Sequence, residues 1–306
     1  MHIITIDAGG TKTKCTTFDL SGNTLFESTG GIGSVVVSLE EAKSNIVKEI
    51  IVHINRLKIS NALCVLGIAG IDSIKQEDKL VFSKELESIN ALNQVIIKND
   101  AEVALYDVTG GYGAGVLVLA GTGSIVLGIE NDNTYSVGGW GHLIDDEGSA
   151  YAIAINLIKK IAQSFDGNKE LTQLEKAYME YLKITNQKEL KTFVYQNPKS
   201  EVASTAKWIA DNANNYSQAR ELLIEAGRNL AKQVIILAKR MNSSNLKIGF
   251  NGSVIQNNEV VFNTFITELN KIDISFDIVS KKLNANRGCY FLAMRRIKYG
   301  IRKDIN

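Results

Sequence analysis

Proline and cysteine are scarce in this sequence, and neither sign of charge dominates it. Among 306 residues there are one proline and three cysteines, and the formal net charge is +1. Cys15, Cys64 and Cys289 form no CxxC pair, which argues against a zinc site or an iron–sulfur cluster built on such pairs. We expect them to be buried or idle thiols in a reducing compartment, the cytoplasm. The near-zero charge argues against nucleic-acid or anionic membrane partners.

Long apolar runs and flexible linkers are missing as well. No stretch is long enough to span a bilayer, and the opening MHIITID lacks the features of a signal peptide. Hydrophobic residues nevertheless make up 45% of the chain, which is enough for a sizeable core. We therefore expect packed lobes, either one large domain or two of ordinary size.

Glycine turns that follow apolar strands are the most prominent pattern present. Glycine lets backbone N–H groups approach a ligand, and successive N–H groups form a concavity that binds anions. The turns match neither the P-loop pattern nor the GxGxxG fingerprint. Each turn alone could be a plain hairpin, but together they favour a site for a polyphosphate. They are AGGT (8–11), AGTGS (120–124) and FNGS (250–253).

Two of these turns repeat at an offset of 111 residues. Gly10-Thr11 aligns with Gly121-Thr122, and each pair lies between two strand-like segments. Such a repeat predicts two related α/β halves, although a chance match of short glycine turns is the alternative. Further strands are predicted at 62–70, 93–100 and 274–282, and 247–258 is predicted as a strand, a glycine turn and the start of a helix. Helices are predicted at 38–57, 149–165, much of 168–242 and the C-terminus.

Two aspartates follow predicted strands. Asp7 ends the first strand, where it could hold Mg²⁺ through water or simply form a turn. Asp100 ends the strand NQVIIKND, where open α/β sheets place their ligands, so it could be a general base. Alternatively, Asn99 caps the next helix with Glu102 in a capping box, and Asp100 merely favours the helix dipole.

The stretch GGWGHLIDDEGSAYAIA (138–154) is the richest in chemical groups. A carboxylate there could accept hydrogen bonds from a polyol, and Trp140 could pack on a sugar face or belong to the core. The alternative is a loop with acids at a helix N-terminus. We expect His142 to be structural, because no cysteine or second histidine lies near it.

These motifs, in this order and spacing, resemble the N-acetylglucosamine kinase branch of the BadF/BadG/BcrA/BcrD-type ATPase family, within the sugar kinase/Hsp70/actin superfamily. The resemblance implies an α/β fold of two ribonuclease-H-like (actin-like ATPase) lobes with ATP and Mg²⁺ in the cleft between them. The N-terminal lobe would comprise 1–110 with a C-terminal helix at 287–306. The larger lobe would comprise 111–286. A cytoplasmic homodimer is expected.

The resemblance also implies an activity, the transfer of the γ-phosphoryl group of ATP to an amino sugar, first of all to the 6-hydroxyl of N-acetylglucosamine. Asp100 would be the catalytic base and Asp7 the Mg²⁺ residue. Both phosphate turns and the adenosine turn would bind ATP, through Gly9, Gly10, Thr11, Lys12, Gly121, Thr122, Gly123, Gly252 and Ser253. The sugar would contact Asp100, Thr122, Gly139, Trp140 and Asp146.

Two departures from the family pattern concern the sugar. An asparagine that helps to hold the N-acetyl group is replaced in the segment 30–42 by Ser34 and valines, and Asp145 stands where glycine is common. Glucosamine and N-acetylmuramic acid are therefore alternative substrates. An ATPase activator of a radical enzyme would need clustered cysteines, which are lacking. A sugar or nucleotide sensor would lack the acid at position 100, and a repressor would need a DNA-binding segment before Asp7.

Overall fold

The computed structural model describes residues 1–243 and 245–299. The chain divides into two compact units. The first comprises Met1–Gly115 and the described residues from Ser280 onward, and the second comprises Val116–Val279. None of the described helices combines the length and apolar character needed to cross a membrane.

The first unit is built on a five-stranded sheet in the order β3-β2-β1-β4-β5. β1 runs antiparallel to β2 and parallel to β4, which in turn runs parallel to β5. All seven residues of β4 are buried, as expected for an apolar strand inside a parallel sheet. The elements are β1 (His2–Ala8), β2 (Thr13–Phe18), β3 (Thr24–Gly30), α1 (Leu39–Leu57), β4 (Ala62–Ile68), α2 (Gln76–Glu87), β5 (Leu92–Asn99) and α3 (Asp100–Thr109).

The second unit repeats this plan with the strand order β10-β9-β6-β7-β8. Read from its other edge, the order is that of the first sheet, which confirms the predicted pair of related halves. Helices fill most of 150–240, also as predicted. The elements are β6 (Gly115–Ala120), β7 (Ser124–Glu130), β8 (Asn133–Gly138), α4 (Ala150–Asp166), α5 (Gln173–Leu182), α6 (Gln187–Gln196), α7 (Lys199–Ser204), α8 (Ala206–Asp211), α9 (Ser217–Arg240), β9 (Asn245–Asn251), α10 (Ser253–Asn257), α11 (Glu259–Leu269) and β10 (Ser275–Ile278).

The chain returns to the first unit through α12 (Ala285–Tyr299), which packs against α3 and β1. The fully buried carboxylate of Asp107 on α3 anchors this return. It accepts hydrogen bonds from Nη2 of Arg287 at 2.7 Å and from the backbone N–H of Asn284 at 2.8 Å. The C-terminal helix prediction is confirmed to Tyr299, and its residues 300–306 lie outside the described residues.

Candidate active site

The carboxyl ends of β1, β4 and β5 meet at one edge of the first sheet and bring two acids together. Asp7 pairs in register with Gly67, and Gly67 pairs with Lys98, two residues before Asp100. A Cβ added at Gly67 would lie 3.5 Å from the Cα of Asp100 and 2.5 Å from a methyl group of Val103. The missing side chain at Gly67 therefore allows the start of α3 to pack closely against β4, between the strands that carry the two acids.

The start of α3 holds Asp100 in a fixed place. The Asn99 side chain accepts a hydrogen bond from the Ala101 N–H at 2.9 Å, and Glu102 accepts one from the Asn99 N–H at 3.3 Å. This is the predicted capping box. Asp100 Oδ1 also accepts from the Ala101 N–H at 3.0 Å. The capping role and an exposed catalytic role do not compete, because Asn99 and Glu102 supply the cap and Asp100 is only half-buried.

Both acids hold protons more tightly than ordinary aspartates. Burial raises the pKa of Asp7, and the nearby Asp100 carboxylate raises it further, while Lys12 and Lys14 act in the opposite direction. Burial likewise raises the pKa of Asp100, against the effect of its bond to the Ala101 N–H, and Asp72 adds to the increase. Two half-buried carboxylates that repel each other create a local demand for a cation or a proton.

The donor chemistry of this edge fits Mg²⁺. Carboxylate oxygen is its preferred protein ligand, and it keeps several waters while it binds one or two carboxylates and substrate phosphates. Within residues 1–243 and 245–299, no three His, Cys, Asp or Glu side chains gather into a complete metal cage. Asp7 and Asp100 supply carboxylate oxygens at this edge, and Asp7 is the residue that would hold the ion.

The first glycine turn joins β1 to β2. The Gly9 N–H is bonded to the Lys12 carbonyl at 3.0 Å, so it serves the turn itself. In the described part of the chain, the amides of Gly10, Thr11 and Lys12 donate to no backbone or side-chain acceptor. Gly10, Thr11 and Lys12 are also exposed. Three consecutive exposed amides form the kind of concavity that binds phosphate.

The segment after β3 lies against this turn. The N–H groups of Gly33 and Ser34 donate to the Gly9 carbonyl at 2.9 and 3.0 Å. Ser34 is buried, and its hydroxyl donates to the Ala69 carbonyl at 3.3 Å. Val36 is 65% exposed and lies close to Gly70, just beyond β4. Ser34 is thus used within the fold, and the exposed side chain at this place is a valine.

The second glycine turn joins β6 to β7 and rests on a helix. The Gly121 N–H bonds the Gly123 carbonyl at 2.9 Å. The carbonyls of Gly121 and Thr122 accept from the first two amides of α4, those of Ala150 and Tyr151, at 2.8 and 3.3 Å. The helix N-terminus thereby fixes the turn, which uses amides that would otherwise lack partners.

The third turn contacts the second. Gly252 has φ +103°, and a Cβ there would lie 2.3 Å from the Ala120 carbonyl oxygen. Only glycine allows this approach. Thr122 and Ser253 both line a cavity of about 500 Å³ to which α4, α7, α8, α9 and α10 contribute residues. The structure thus brings together the residues predicted for the second phosphate turn and for adenosine.

The loop 138–149 connects β8 to α4. Gly139 has a positive φ, and Trp140 is 73% exposed, so the idea that Trp140 belongs to the core is wrong. His142 packs edge-on against Tyr151 with ring centroids 4.9 Å apart. Asp145 is half-buried and accepts a bond from the Glu147 N–H at 3.4 Å.

Asp146 differs from the other predicted sugar residues, because it is buried and already paired. Its backbone is left-handed at φ +70°, and its Oδ2 lies 2.5 Å from the Lys199 ammonium. Sequence reasoning missed Lys199, which is 53 residues away, and also Gly67 and Asp72. Gly67 lies inside the apolar strand β4, and a glycine at such a position indicates that another segment of the chain approaches the strand closely.

Comparison with known proteins gives a consistent result. The BadF/BadG/BcrA/BcrD ATPase family model matches residues 4–279. An N-acetylmuramic acid/N-acetylglucosamine kinase of Clostridium acetobutylicum is 31% identical over 306 residues, covering 95% of this chain and 98% of that protein. An N-acetyl-D-glucosamine kinase of Dictyostelium discoideum is 33% identical over 215 residues, 65% of each chain.

Solved structures show the same fold. A candidate N-acetylglucosamine kinase from Chromobacterium violaceum superposes with a TM-score of 0.66 at 17% identity, covering 95% of this chain and 98% of that one. ROK hexokinase from Thermus thermophilus gives a TM-score of 0.57 at 13% identity, covering 98% and 100%. The predicted fold class, two lobes of the sugar kinase and actin-like ATPase type, is confirmed.

Proposed function

Because the chain belongs to the BadF/BadG/BcrA/BcrD ATPase family, we propose that it is an ATP-dependent kinase that phosphorylates an amino sugar. The preferred acceptor is the 6-hydroxyl of N-acetylglucosamine. Relatives named as kinases of this sugar, one matched over 95% of the chain and one over 65%, support the assignment.

The observation that carries the proposal is the pair of half-buried acids at the edge of the first sheet. Asp100 accepts the proton of the attacking hydroxyl, and Asp7 holds Mg²⁺. The raised pKa of Asp100 favours this role, because a base works best when its pKa moves toward the operating pH. Phosphoryl transfer depends mostly on positioning and charge neutralisation, so a carboxylate is a sufficient base.

The remaining predicted residues take binding roles. The exposed amides of Gly10, Thr11 and Lys12 bind phosphate oxygens, as does the turn 121–123. The cavity that Thr122 and Ser253 line accepts the adenosine. When bound, Mg²⁺ neutralises charge on the phosphate oxygens. Gly139, Trp140 and Asp146 bind the sugar.

The exposed Val36 supports an acylated sugar as the substrate. The Ser34 hydroxyl donates to the Ala69 carbonyl, so it is already engaged within the fold. The exposed side chain of Val36 is then the group that faces the acyl methyl group of the sugar. N-acetylmuramic acid is the second candidate because the Clostridium relative is named for both sugars. Glucosamine lacks the acyl group and is expected to be the poorer substrate.

The test is ATP consumption with Mg²⁺ across N-acetylglucosamine, N-acetylmuramic acid, glucosamine, N-acetylmannosamine and glucose, with mass spectrometry of the products. We expect N-acetylglucosamine 6-phosphate to form fastest. Nucleotide binding without turnover of any of these sugars would overturn the kinase assignment and favour a sensor.

Location and assembly belong to the same proposal. We propose a cytoplasmic homodimer, as expected from the family. The exposed apolar side chains of Leu143 and Ile144 in the second unit give a surface that a second copy could cover. Analytical ultracentrifugation tests the dimer, and a monomer at micromolar concentration would contradict it.

A further inference from the structure

The carboxylate of Asp146 occupies a place where a lone charge is costly. Its side chain is 4% exposed, and burial of an ionised carboxylate is tolerated only with pairing and hydrogen bonds. Lys199 Nζ lies 2.5 Å from Oδ2, and the Ser124 N–H reaches Oδ1 at 3.5 Å. Lys199 is therefore the charged partner of this acid.

The local chain places Lys199 at this position. It is the first residue of α7 and follows Pro198, the single proline, whose φ of −64° suits the entry to a helix. Just before it, the Asn197 side chain donates to the Phe193 carbonyl at 2.8 Å and closes the end of α6. α7 packs against α4, the helix that supports the second glycine turn. The lysine therefore extends from a firmly held backbone.

The pair lies directly against the second turn. A Cβ added at Gly123 would lie 2.8 Å from the Lys199 ammonium and 2.9 Å from Asp146 Oδ2. The lysine side chain is 28% exposed, compared with 4% for the aspartate. Both groups therefore lie beside the turn, and the ammonium is the more exposed member of the pair.

We propose that Lys199 is a positioning residue of the amino-sugar site, which holds the Asp146 carboxylate in the orientation that accepts sugar hydroxyls. This inference rests on the proposed function, because the sugar-binding role of Asp146 is part of it. Without the ammonium, the carboxylate keeps only the long bond from Ser124 and loses its fixed orientation.

The first test is the kinetics of Lys199→Met. We expect the KM for the sugar to rise about tenfold or more, with kcat within about threefold and the KM for ATP unchanged. Lys199→Arg keeps the charge and should recover a large part of the sugar KM. Lys176→Met, which removes an exposed pair with Glu170, is the matched control and should change none of these values.

The second test asks whether Lys199 acts through Asp146, with sugar Kd measured by calorimetry in a double-mutant cycle. In an Asp146→Asn background, Lys199→Met should change the sugar Kd less than twofold. A tenfold change there, an unchanged sugar KM in the single variant, or an equal rise in both KM values overturns the proposal. If Lys199→Met does not fold, the same cycle is run with Lys199→Gln, which also removes the ammonium.

The calorimetric cycle also separates the two proposals. A wild-type chain that binds the sugar but transfers no phosphate overturns the kinase function, while the cycle still decides the role of Lys199. A wild-type chain that binds no amino sugar overturns both proposals.

Discussion

The two units share a strand order but differ at the end of their first strands. In the first unit Asp7 precedes the glycine turn, whereas Val118, which is 111 residues later, is fully buried and apolar. The first turn is held by the segment after β3, through the Gly9 carbonyl, and the second is held by the N-terminus of α4. Asp7 and Asp100 lie in the first unit, and the cavity that Thr122 and Ser253 line lies in the second.

This difference shows which parts of a repeated fold carry chemistry. The backbone plan, strand then glycine turn then strand, is retained in both units. The side chains beside the turn are not retained, and the carboxylate of Asp7 has no counterpart at Val118. Substitutions of the acids of the first unit and substitutions in the glycine turns of the second unit should therefore have effects of different sizes.

The largest effect is expected for Asp100→Asn. It keeps the shape of the side chain and the cap at Asn99 but removes the proton acceptor, so kcat should fall about 1,000-fold. Calorimetry should show sugar binding within about threefold of the wild type. Asp273→Asn, which alters an exposed aspartate away from this sheet edge, is the control and should leave kcat within about twofold. Near-normal turnover of Asp100→Asn would remove this residue from the role of base.

The second effect concerns the turns of the second unit. Gly252→Ala places a methyl group 2.3 Å from the Ala120 carbonyl oxygen at φ +103°, so it should lower the free energy of unfolding by about 2 kcal/mol. The KM for ATP should rise as well. Urea denaturation and initial rates measure the two changes.

Gly121→Ala is the matched control for this variant. A Cβ at Gly121 would lie 3.9 Å from the Cα of Gly252, an ordinary contact, so a loss of about 0.5 kcal/mol or less is expected. Equal losses in the two variants would show that the approach of Gly252 to Ala120 is not what makes glycine necessary there.

Sequence reasoning succeeded where the signal is local. The capping box at Asn99 and the strand–turn–strand units are encoded by residues a few positions apart. The edge strands β3 and β8 were missed because they are largely polar and exposed, so they lack an apolar run.

The pairing of Lys199 with Asp146 was missed for a different reason. Nothing in the spacing of two residues 53 positions apart reports a contact that only helix packing creates. The sequence interpretation also included Gly9 among the residues with an amide available to phosphate. The Gly9 N–H instead donates to the Lys12 carbonyl and closes the turn.

The smallest effect is expected for Asp7→Asn, measured as thermal stability. Burial and Asp100 raise the pKa of Asp7, so the folded state binds its proton more tightly than the unfolded state does. The stability from this group is present below the ordinary aspartate pKa of about 3.9 and is lost as pH rises through the raised value. At pH 7 the ionised side chain therefore destabilises the fold, and asparagine should raise Tm by about 2 °C.

Asp19→Asn tests the sign of this argument. Bonds from the side chain and backbone of Asn23 lower the pKa of Asp19, so its contribution is present above the ordinary pKa and is lost as pH falls through the lowered value. At pH 7 this variant should lower Tm, and the difference should shrink as pH falls through the lowered pKa of Asp19. A fall in Tm for Asp7→Asn as well would mean that the acids of the sheet edge stabilise the fold. If only Asp7→Asn raises Tm, the first unit keeps its acid at a cost in stability that Val118 spares the second.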